Sequence, residues 1–291
     1  MTVPSGTVPW SLLEGSVKGV GKPHSQDHCA ARPAVDGQAI VLAVADGHGS
    51  KPHFRSDLGA RWAVEEFLGY AEGFAEEAVR LGGDRSKWSV LRAHVHSLPQ
   101  QVVHRWRERV LLHESNSPAH GGRAARSAED LERVLPVYGS TLLGAVVTEW
   151  LLVCWQLGDG DVVLLADESP PMAPLSTGPD IGDETDSLCH RDAWRLMRSH
   201  WHPFTGDGSF RGVLMSTDGL SKSFAEHQGF LDFAKDVGDL VVRRGADHVR
   251  SELPGWLGQA ARYSGDDSTL VGVFAPRNDS TMIFDRGDGT A

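Results

Sequence analysis

Residues 39–50 read AIVLAVADGHGS, a short apolar run that ends in a charged, glycine-rich turn. The run Ala39–Ala45 predicts a buried β-strand, and it is far shorter than the roughly 20 residues that cross a bilayer. Asp46 stands at the end of this strand and Gly47 follows it. An acidic side chain at that point lies at a sheet edge, and glycine lets the backbone come close to a bound ion. The stretch therefore contains both a strand signal and a candidate site.

Further strand patterns lie on both sides of this stretch. They are Ser11–Gly19, Asp27–Arg32, Gly139–Glu149, Trp150–Leu157, Asp161–Ala166, Gly212–Thr217 and the closing runs STLVGVF and STMIFD. The joins between residues 139 and 166 are too short for helical crossovers, so these strands are predicted to form an antiparallel meander.

Helical periodicity occurs in two blocks. A helix is predicted from Ser56, where apolar residues recur at i, i+4, i+7 and i+11, and a second from Trp88 to His113 with an interruption at Pro99. A later block has Phe230, Phe233, Val237, Leu240 and Val241 on one face. Another helix, His248–Ala261, is predicted to break near Pro254. Strands in blocks and helices in blocks indicate an α+β chain of packed sheets with helices outside.

Composition excludes several classes of protein. The chain has 291 residues and a formal net charge of −11, which argues against non-specific nucleic-acid binding. No apolar run could span a membrane and the amino terminus lacks a basic-then-apolar leader, so we expect an untargeted, cytoplasmic protein. The three cysteines, Cys29, Cys154 and Cys189, have no CxxC spacing and are expected to be reduced structural thiols.

Five aspartates stand beside glycine or a second aspartate where apolar strands begin or end. They are Asp27, Asp46, Asp159, Asp218 and Asp266. Any one of them alone is compatible with an ordinary turn, because Asp-Gly is a common turn pair. If the sheets bring several together, their repulsion requires a cation, and an oxygen-rich site of this kind suits Mg²⁺ or Mn²⁺.

The order of these positions along the chain carries more information than any single one. Six blocks occur in sequence: QD at 26–27, DGHG at 46–49, GST at 139–141, GD at 158–159, TDGL at 217–220 and GDDST at 265–269. In this order they resemble the metal-dependent protein phosphatase family, the type 2C serine/threonine phosphatases. The opening GVGKPHSQD and the stretch IGDETDSL at Ile181–Leu188 are most similar to a bacterial branch of that family.

The resemblance implies an overall architecture. It is a four-layer α-β-β-α sandwich, in which two central antiparallel sheets are flanked by helices. One domain would cover residues 1–291, with a helical insert around 85–135, an irregular surface segment around 168–209 and a short C-terminal tail at 276–291.

The resemblance also implies a two-metal site occupied by Mn²⁺ or Mg²⁺. Asp46 is similar to the carboxylate that bridges both ions, and the Gly47 carbonyl would bind one of them. Asp218 and Asp266 match ligands of the other ion. Asp159 matches a residue linked in some members to a weaker third ion.

Two catalytic roles complete that site. Asp27 matches the acidic residue that holds metal-bound water. Two bridged divalent ions acidify a shared water and orient the hydroxide for in-line attack on phosphorus, so no covalent enzyme intermediate is required. His48 would then protonate the departing seryl or threonyl oxygen, because the ordinary pKa of histidine lies near the working pH. The alternative is that His48 has no catalytic role and is simply a solvated side chain in a turn.

Two positions depart from the family pattern. Lys22 stands five residues before Asp27, where many members have a phosphate-binding arginine, and His24 lies nearby. Lysine attracts phosphate only as a point charge and lacks the bidentate fork of arginine, so looser or differently arranged substrate binding is expected. Lys22 and His24 are the candidate substrate-binding residues. Gln26 replaces a common glutamate, which predicts weaker binding of one metal ion because an amide is the weaker ligand.

The segment from Arg85 to Leu135 is unusually basic, with nine arginines and lysines against five acids. Such a segment is either a docking face for acidic or phosphorylated partners or an ordinary solvated helix surface.

The function indicated is that of a serine/threonine phosphoprotein phosphatase, with a phosphoprotein substrate and a cognate kinase as partners. Two alternatives remain: a silent phosphatase fold that acts as a regulatory or binding protein, and a phosphatase of a small phosphorylated molecule. Silent versions usually lose metal carboxylates, whereas Asp46, Asp218 and Asp266 are all present. An EF-hand calcium module is excluded, because neither DGHGS nor GDGD has the required ligand register.

Overall fold

Two antiparallel sheets lie face to face, and a layer of helices covers the outer surface of each. The computed structural model describes residues 10–119, 128–167, 169–176, 185–204 and 210–275. The strands are β1 (Ser11–Val17), β2 (His28–Ala34), β3 (Ala39–Ala45), β4 (Leu142–Thr148), β5 (Leu151–Leu157), β6 (Asp161–Ala166), β7 (Arg198–Pro203), β8 (Phe210–Ser216) and β9 (Ser268–Phe274). The helices are α1 (Ser56–Leu81), α2 (Trp88–Asn116), α3 (Ala128–Val134), α4 (Ala193–Leu196), α5 (Asp218–Ser221), α6 (His227–Arg244) and α7 (Ala246–Ser264).

One sheet has the strand order β2-β3-β4-β5-β7 and the other β1-β9-β8-β6, and every pairing is antiparallel. The first sheet is built around β3, in which Val41 lies opposite Val146 of β4. These layers confirm the predicted α+β, α-β-β-α architecture.

Alternation along β3 explains how the layers pack. Ile40, Leu42 and Val44 are buried in the core between the two sheets. Val41 and Ala43 point the other way and belong to the cluster formed with α1. Both faces of a strand in this position are buried, which is why β3 reads as a continuous apolar run rather than an alternating one.

Aromatic side chains fill the helical layers. Over the five-stranded sheet, Phe67 of α1 packs edge to face against Trp155 of β5, with ring centroids 5.6 Å apart. Over the four-stranded sheet, Phe230 of α6 and Leu253 of α7 are buried with Phe274 of β9. Such large buried side chains make each outer helical layer part of the core.

Both helices that contain an internal proline run through it, so the predicted breaks at Pro99 and Pro254 are wrong. Helix α2 continues from Trp88 to Asn116 across Pro99, and α7 from Ala246 to Ser264 across Pro254. An internal proline costs a helix about 3 kcal/mol. Buried apolar residues on both sides of each proline, such as Leu253 and Leu257 in α7, offset that cost.

The meander predicted between residues 139 and 166 is only half right. Strands β4 and β5 pair, but β6 pairs with β8 in the other sheet. The chain crosses between sheets at Gly158–Asp159–Gly160, and Gly158 has φ +103°, a conformation that other residues rarely adopt. The sheet change puts Asp159 at the end of the sandwich, between the two sheets.

The segment predicted as irregular, 168–209, contains helix α4 and strand β7 in its described part. Strand β7, with the sequence RSHWHP, pairs with β5 at the edge of the sheet. Its polar residues gave no strand signal, because an edge strand is set by pairing with its neighbour rather than by burial of both faces. The predicted strand STMIFD and the tail 276–291 lie outside the described residues.

The basic segment 85–135 supplies much of the helical layer, because α2 buries one face against α1. Many of its cations have partners within the chain. Arg105 and Arg109 form ion pairs with glutamates of α1 and α2, and Arg107 donates to the His190 carbonyl at 2.6 Å. These pairings favour a structured helix surface over a free docking face.

Candidate active site

The five predicted aspartates meet at one end of the sandwich. Asp27 immediately precedes β2 and Asp46 follows β3, and the register of these strands places His28 opposite Ala45. Asp218 follows β8, and Asp266 shortly precedes β9, to which β8 is paired. Asp159 lies in the crossing between sheets. Antiparallel neighbours bring strand starts beside strand ends, so residues from distant parts of the sequence form one cluster.

Asp46 lies at the centre of the cluster. Its carboxylate is within hydrogen-bonding reach of those of Asp27 and Asp218. Burial, followed by the charges of Asp27 and Asp218, raises the pKa of Asp46 well above its usual value. The backbone is fixed by Thr141, whose Oγ1 accepts from the Asp46 N–H at 2.9 Å and whose N–H donates to the Asp46 carbonyl at 2.8 Å. This explains the structural role of the GST block.

Asp27 is also buried among acids. Burial raises its pKa to about 7, although hydrogen bonds from Thr269 and Thr217 lower it in part. The Thr217 hydroxyl donates to Oδ2 at 2.8 Å. The other oxygen, Oδ1, is buried and has no hydrogen-bond partner among the described residues.

Asp218 repeats this pattern, since its Oδ1 is likewise buried without a partner in the described part of the chain. Burial first, and then the charge of Asp159, raises the pKa of Asp218. Buried carboxylate oxygens that repel one another and lack donors are unfavourable unless a cation binds them. The residues present therefore fit hard divalent ions such as Mg²⁺ and Mn²⁺.

Two lysines already neutralise part of the cluster. The Lys22 ammonium bonds to Asp266 and lies 3.0 Å from Asp267 Oδ2. Burial lowers the pKa of Lys22, but these two carboxylates outweigh it and the pKa lies above its usual value. Within the described ranges, no group of three or more His, Cys, Asp or Glu side chains is arranged as a complete metal-ligand set.

Asp267 is a site residue that the sequence analysis did not single out. It is 2% exposed, and its carboxylate accepts from the backbone N–H groups of Gly19 at 2.7 Å and Gln26 at 2.8 Å. It therefore ties the loop before β2 to the start of β9. A second acid directly after Asp266 in the GDDST block was the available signal.

Lys222 forms the second lysine contact, at the opposite side of the cluster. Its ammonium bonds to Asp218 Oδ2 and lies 3.5 Å from Asp159 Oδ2. Asp159 Oδ2 also accepts from the Thr185 hydroxyl at 3.2 Å. Only its position four residues after Asp218, one helical turn away, could have identified Lys222 from the sequence.

The DGHG turn is held by its backbone. The Gly47 N–H donates to the Gln26 carbonyl at 3.2 Å, and the His48 N–H donates to the Gly139 carbonyl at 3.1 Å. The His48 carbonyl accepts from Gln26 Nε2 and from Ser56 Oγ, both at 3.0 Å. The amide of Gln26 is thus a donor that supports the turn, a role different from the weak metal ligand predicted.

The surroundings of His48 move its pKa away from the ordinary value of histidine. Burial, and then the neighbouring His53, lower it to about 4, so the imidazole is neutral at pH 7. The two rings lie edge to face with centroids 4.8 Å apart. A side chain on Gly139 would meet the His48 ring at 2.5 Å, so the first residue of the GST block keeps room for this imidazole. His24 contacts Asp57, at 4.0 Å, rather than the central carboxylates.

Comparison with known proteins identifies the family of this chain. A family model described as protein phosphatase 2C matches residues 19–258. The chain belongs to the protein phosphatase 2C family, which comprises metal-dependent phosphatases. A search of curated protein sequences found no match.

Several solved bacterial phosphatases have the same fold. The serine/threonine phosphatase Stp1 of Staphylococcus aureus is 14% identical, with a TM-score of 0.55 over 94% of this chain and 96% of that one. The Mycobacterium tuberculosis phosphatase PstP/Ppp is 14% identical, with a TM-score of 0.57 over 92% and 99%. A serine/threonine phosphatase of S. agalactiae is 11% identical, with a TM-score of 0.57 over 92% and 100%.

These similarities confirm the predicted family and fold. Among the residues that the structure describes, none of the helices is both long enough and apolar enough to cross a membrane.

Proposed function

We propose that this chain is a phosphoprotein phosphatase that releases phosphate from phosphoserine and phosphothreonine and requires Mn²⁺ or Mg²⁺. A cognate kinase would supply such substrates. The observation that carries the proposal is the cluster of buried carboxylates in which Asp27 and Asp218 each keep one oxygen without a donor in the described structure. The cluster lies at one end of the β-sandwich, and the chain belongs to a phosphatase family.

The residues that would hold two ions are Asp46, Gly47, Asp218 and Asp266, with Asp27 beside them. Divalent ions at these ligands would supply Lewis acidity, which acidifies water and neutralises charge on phosphoryl oxygens. The chain itself supplies a rigid frame, because Asp46 is fixed through Thr141 and Asp27 through Thr217. Fixed ligands reduce the reorganisation needed during the reaction.

His48 and Lys22 are the proposed substrate-facing residues. The His48 imidazole is neutral in the structure, and a bound phosphate dianion would raise its pKa by direct charge attraction. It could then hold the proton that a departing alkoxide needs. Lys22 is anchored by Asp266 and Asp267, so its charge would be presented to phosphate from a fixed position.

Two alternatives use the same fold. A silent regulatory protein is disfavoured by the presence of Asp46, Asp218 and Asp266, because buried acids without donors are costly to keep unless a cation binds them. A phosphatase of a small phosphorylated molecule would use the same chemistry at phosphorus, and it differs only in the loops that select the substrate.

The decisive experiment measures phosphate release by the purified chain from phosphoserine and phosphothreonine peptides, with Mn²⁺, with Mg²⁺ and with excess chelator. We expect release with metal and none with chelator. Full activity in chelator would refute the metal requirement. Turnover of small phosphorylated molecules, but of no peptide in a broad panel, would favour the small-molecule alternative.

A further inference from the structure

Lys222 contacts two carboxylates of the site. Its ammonium contacts Asp218 Oδ2 and lies 3.5 Å from Asp159 Oδ2. The two carboxylate side chains are only 11% and 20% exposed. The Lys222 N–H also donates to the Asp218 carbonyl at 2.8 Å, which fixes the lysine one helical turn beyond its partner.

This arrangement disfavours the binding of a third metal ion at Asp159. A third ion bound by Asp159 and shared with Asp218 would compete with the Lys222 ammonium, which already contacts Oδ2 of both carboxylates. An ammonium donates hydrogen bonds and cannot share a ligand oxygen with an adjacent divalent ion without strong repulsion. The remaining oxygen of Asp218, Oδ1, has no donor among the described residues and stays available to a metal ion.

We propose that the Lys222 ammonium is a built-in cation that takes the place of a third metal ion, so that this chain binds two divalent ions rather than three. The proposal rests on the proposed metal-dependent function.

Charge balance supports this inference. The described cluster contains six aspartates, which are Asp27, Asp46, Asp159, Asp218, Asp266 and Asp267. When all are ionised, the charges of two divalent ions together with Lys22 and Lys222 neutralise them. A third divalent ion would leave an excess of positive charge at the mouth of the site, where its binding is no longer favoured.

Lys222 is therefore a positioning residue. It would orient Asp218 through one oxygen while the other has no donor among the described residues, and it offsets part of the repulsion between Asp159 and Asp218. Lysine performs this role as a point charge on a flexible stem, which lets it reach both carboxylates from an exposed position.

The test counts bound Mn²⁺ by electron paramagnetic resonance of the free ion, up to millimolar concentration, in the full chain. We expect two ions in the wild type and three in Lys222→Met, with the additional ion lost again in Lys222→Met/Asp159→Asn. Lys235→Met is the matched control, because Lys235 likewise pairs with an acid four residues away in the chain, Asp239 at 2.9 Å, but on the surface of α6. It should bind two ions.

Each outcome separates the two proposals. Three ions in the wild type, or two in Lys222→Met, would overturn the role of Lys222 while leaving the metal-dependent phosphatase intact. No bound Mn²⁺ in the wild type would refute the proposed function, and this inference with it. Circular dichroism checks that the variants fold, and Lys222→Gln, which retains a shorter polar side chain, replaces Lys222→Met if that variant does not. We expect the same third ion in Lys222→Gln.

Discussion

At the scale of single residues, the burial of Asp46 has opposite effects on the stability of the metal-free protein and on its proposed metal binding. Its carboxylate is buried beside those of Asp27 and Asp218, which destabilises the metal-free fold. In the proposed function, the same crowding would favour binding of a divalent ion. Residues that serve a site in this way are expected to lower stability while they raise activity.

Asp46→Asn should separate these effects. Residues that only support metal ligands typically cost about 10- to 100-fold in activity when they are replaced. Asp46 is itself a proposed ligand, so we expect phosphatase activity to fall by more than about 100-fold. The metal-free protein should melt higher, by roughly 2–4 °C for each kcal/mol of repulsion relieved. Activity assays and melting curves in chelator measure the two effects. Asp232→Asn, at a surface acid that accepts from Gln228 at 2.9 Å, is the control. Unchanged activity at saturating metal would show that Asp46 is not a ligand.

His48→Gln tests the acid role. Phosphoserine has a poor leaving group that needs a proton, whereas an aryl phosphate leaves almost unaided. Turnover of phosphopeptide should therefore fall roughly 10²-fold or more, and turnover of aryl phosphate much less. Metal binding should persist, because the turn is held by backbone bonds of residue 48. The exposed His104→Gln is the control. An equal fall for both substrates would exclude His48 as the acid.

Individual site residues were predictable only where a local pattern marked them. Asp46 and Asp218 follow buried strands and precede glycine, so each could be found from the sequence. Asp267 and Lys222 had only weak signals, a second acid in the GDDST block and a spacing of four residues from Asp218. Their roles come from contacts that the fold creates, such as the Gly19 N–H that donates to Asp267. The pKa of His48 also depends on tertiary burial and on His53.

At the scale of elements, α1 packs closely against β4. Gly144 of β4 lies under Phe67 of α1, and a Cβ at position 144 would meet the ring at 2.2 Å. The helix can pack this close to the sheet only because no side chain intervenes. The position of α1 matters for the site, because Ser56 at its start holds the His48 carbonyl.

Gly144→Ala should destabilise the protein by about 1–3 kcal/mol, because the buried ring cannot move without shifting α1. Gly69→Ala is the matched substitution. Gly69 lies in α1, and a Cβ at this position would have no described neighbour within 4 Å, so replacement should stabilise by about 0.5–1 kcal/mol. Urea unfolding measures both. Equal effects of the two substitutions would show that the close approach of α1 and β4 has no energetic role.

Elements with a strong periodic signal were the predictable ones. Strand β3 was predicted with its observed bounds, Ala39–Ala45, because both its faces are buried. Strand β7 was missed, since its sequence RSHWHP offers no apolar alternation and only the neighbouring β5 makes it a strand. The helices that continue through Pro99 and Pro254 are also set by tertiary packing, which outweighs the low helix propensity of proline.

At the scale of the whole molecule, acids and histidines give stability opposite dependences on pH. Burial lowers the pKa of His48, His28 and His200, so below about pH 6.5 the unfolded chain binds protons that the native chain does not. Native stability therefore falls as the pH drops through that range. Asp27 and Asp46 have raised pKa values, so the native chain retains protons that the unfolded chain has lost.

Above pH 6.5 only the aspartates make stability depend on pH, because histidine is neutral in both the native and the unfolded chain. There the remaining protons belong to the acids, and their loss as the pH rises through about 7, the pKa of Asp27, destabilises the native fold. The metal-free protein should therefore melt highest near pH 6–6.5 and lower at pH 8. Asp27→Asn should flatten the fall above pH 6.5, while the surface variant Asp232→Asn should leave it unchanged.

Metal ions should reverse this trend, because they bind the ionised carboxylates and stabilise only the native chain. The difference between melting temperatures with saturating Mn²⁺ and with chelator should therefore widen from pH 6 to pH 8. Differential scanning fluorimetry at constant ionic strength measures both series. If the difference stays constant over this range, binding releases no protons, and the acids must already be ionised in the metal-free fold. In that case the raised pKa values of Asp27 and Asp46, and the strain attributed to their burial, would be wrong.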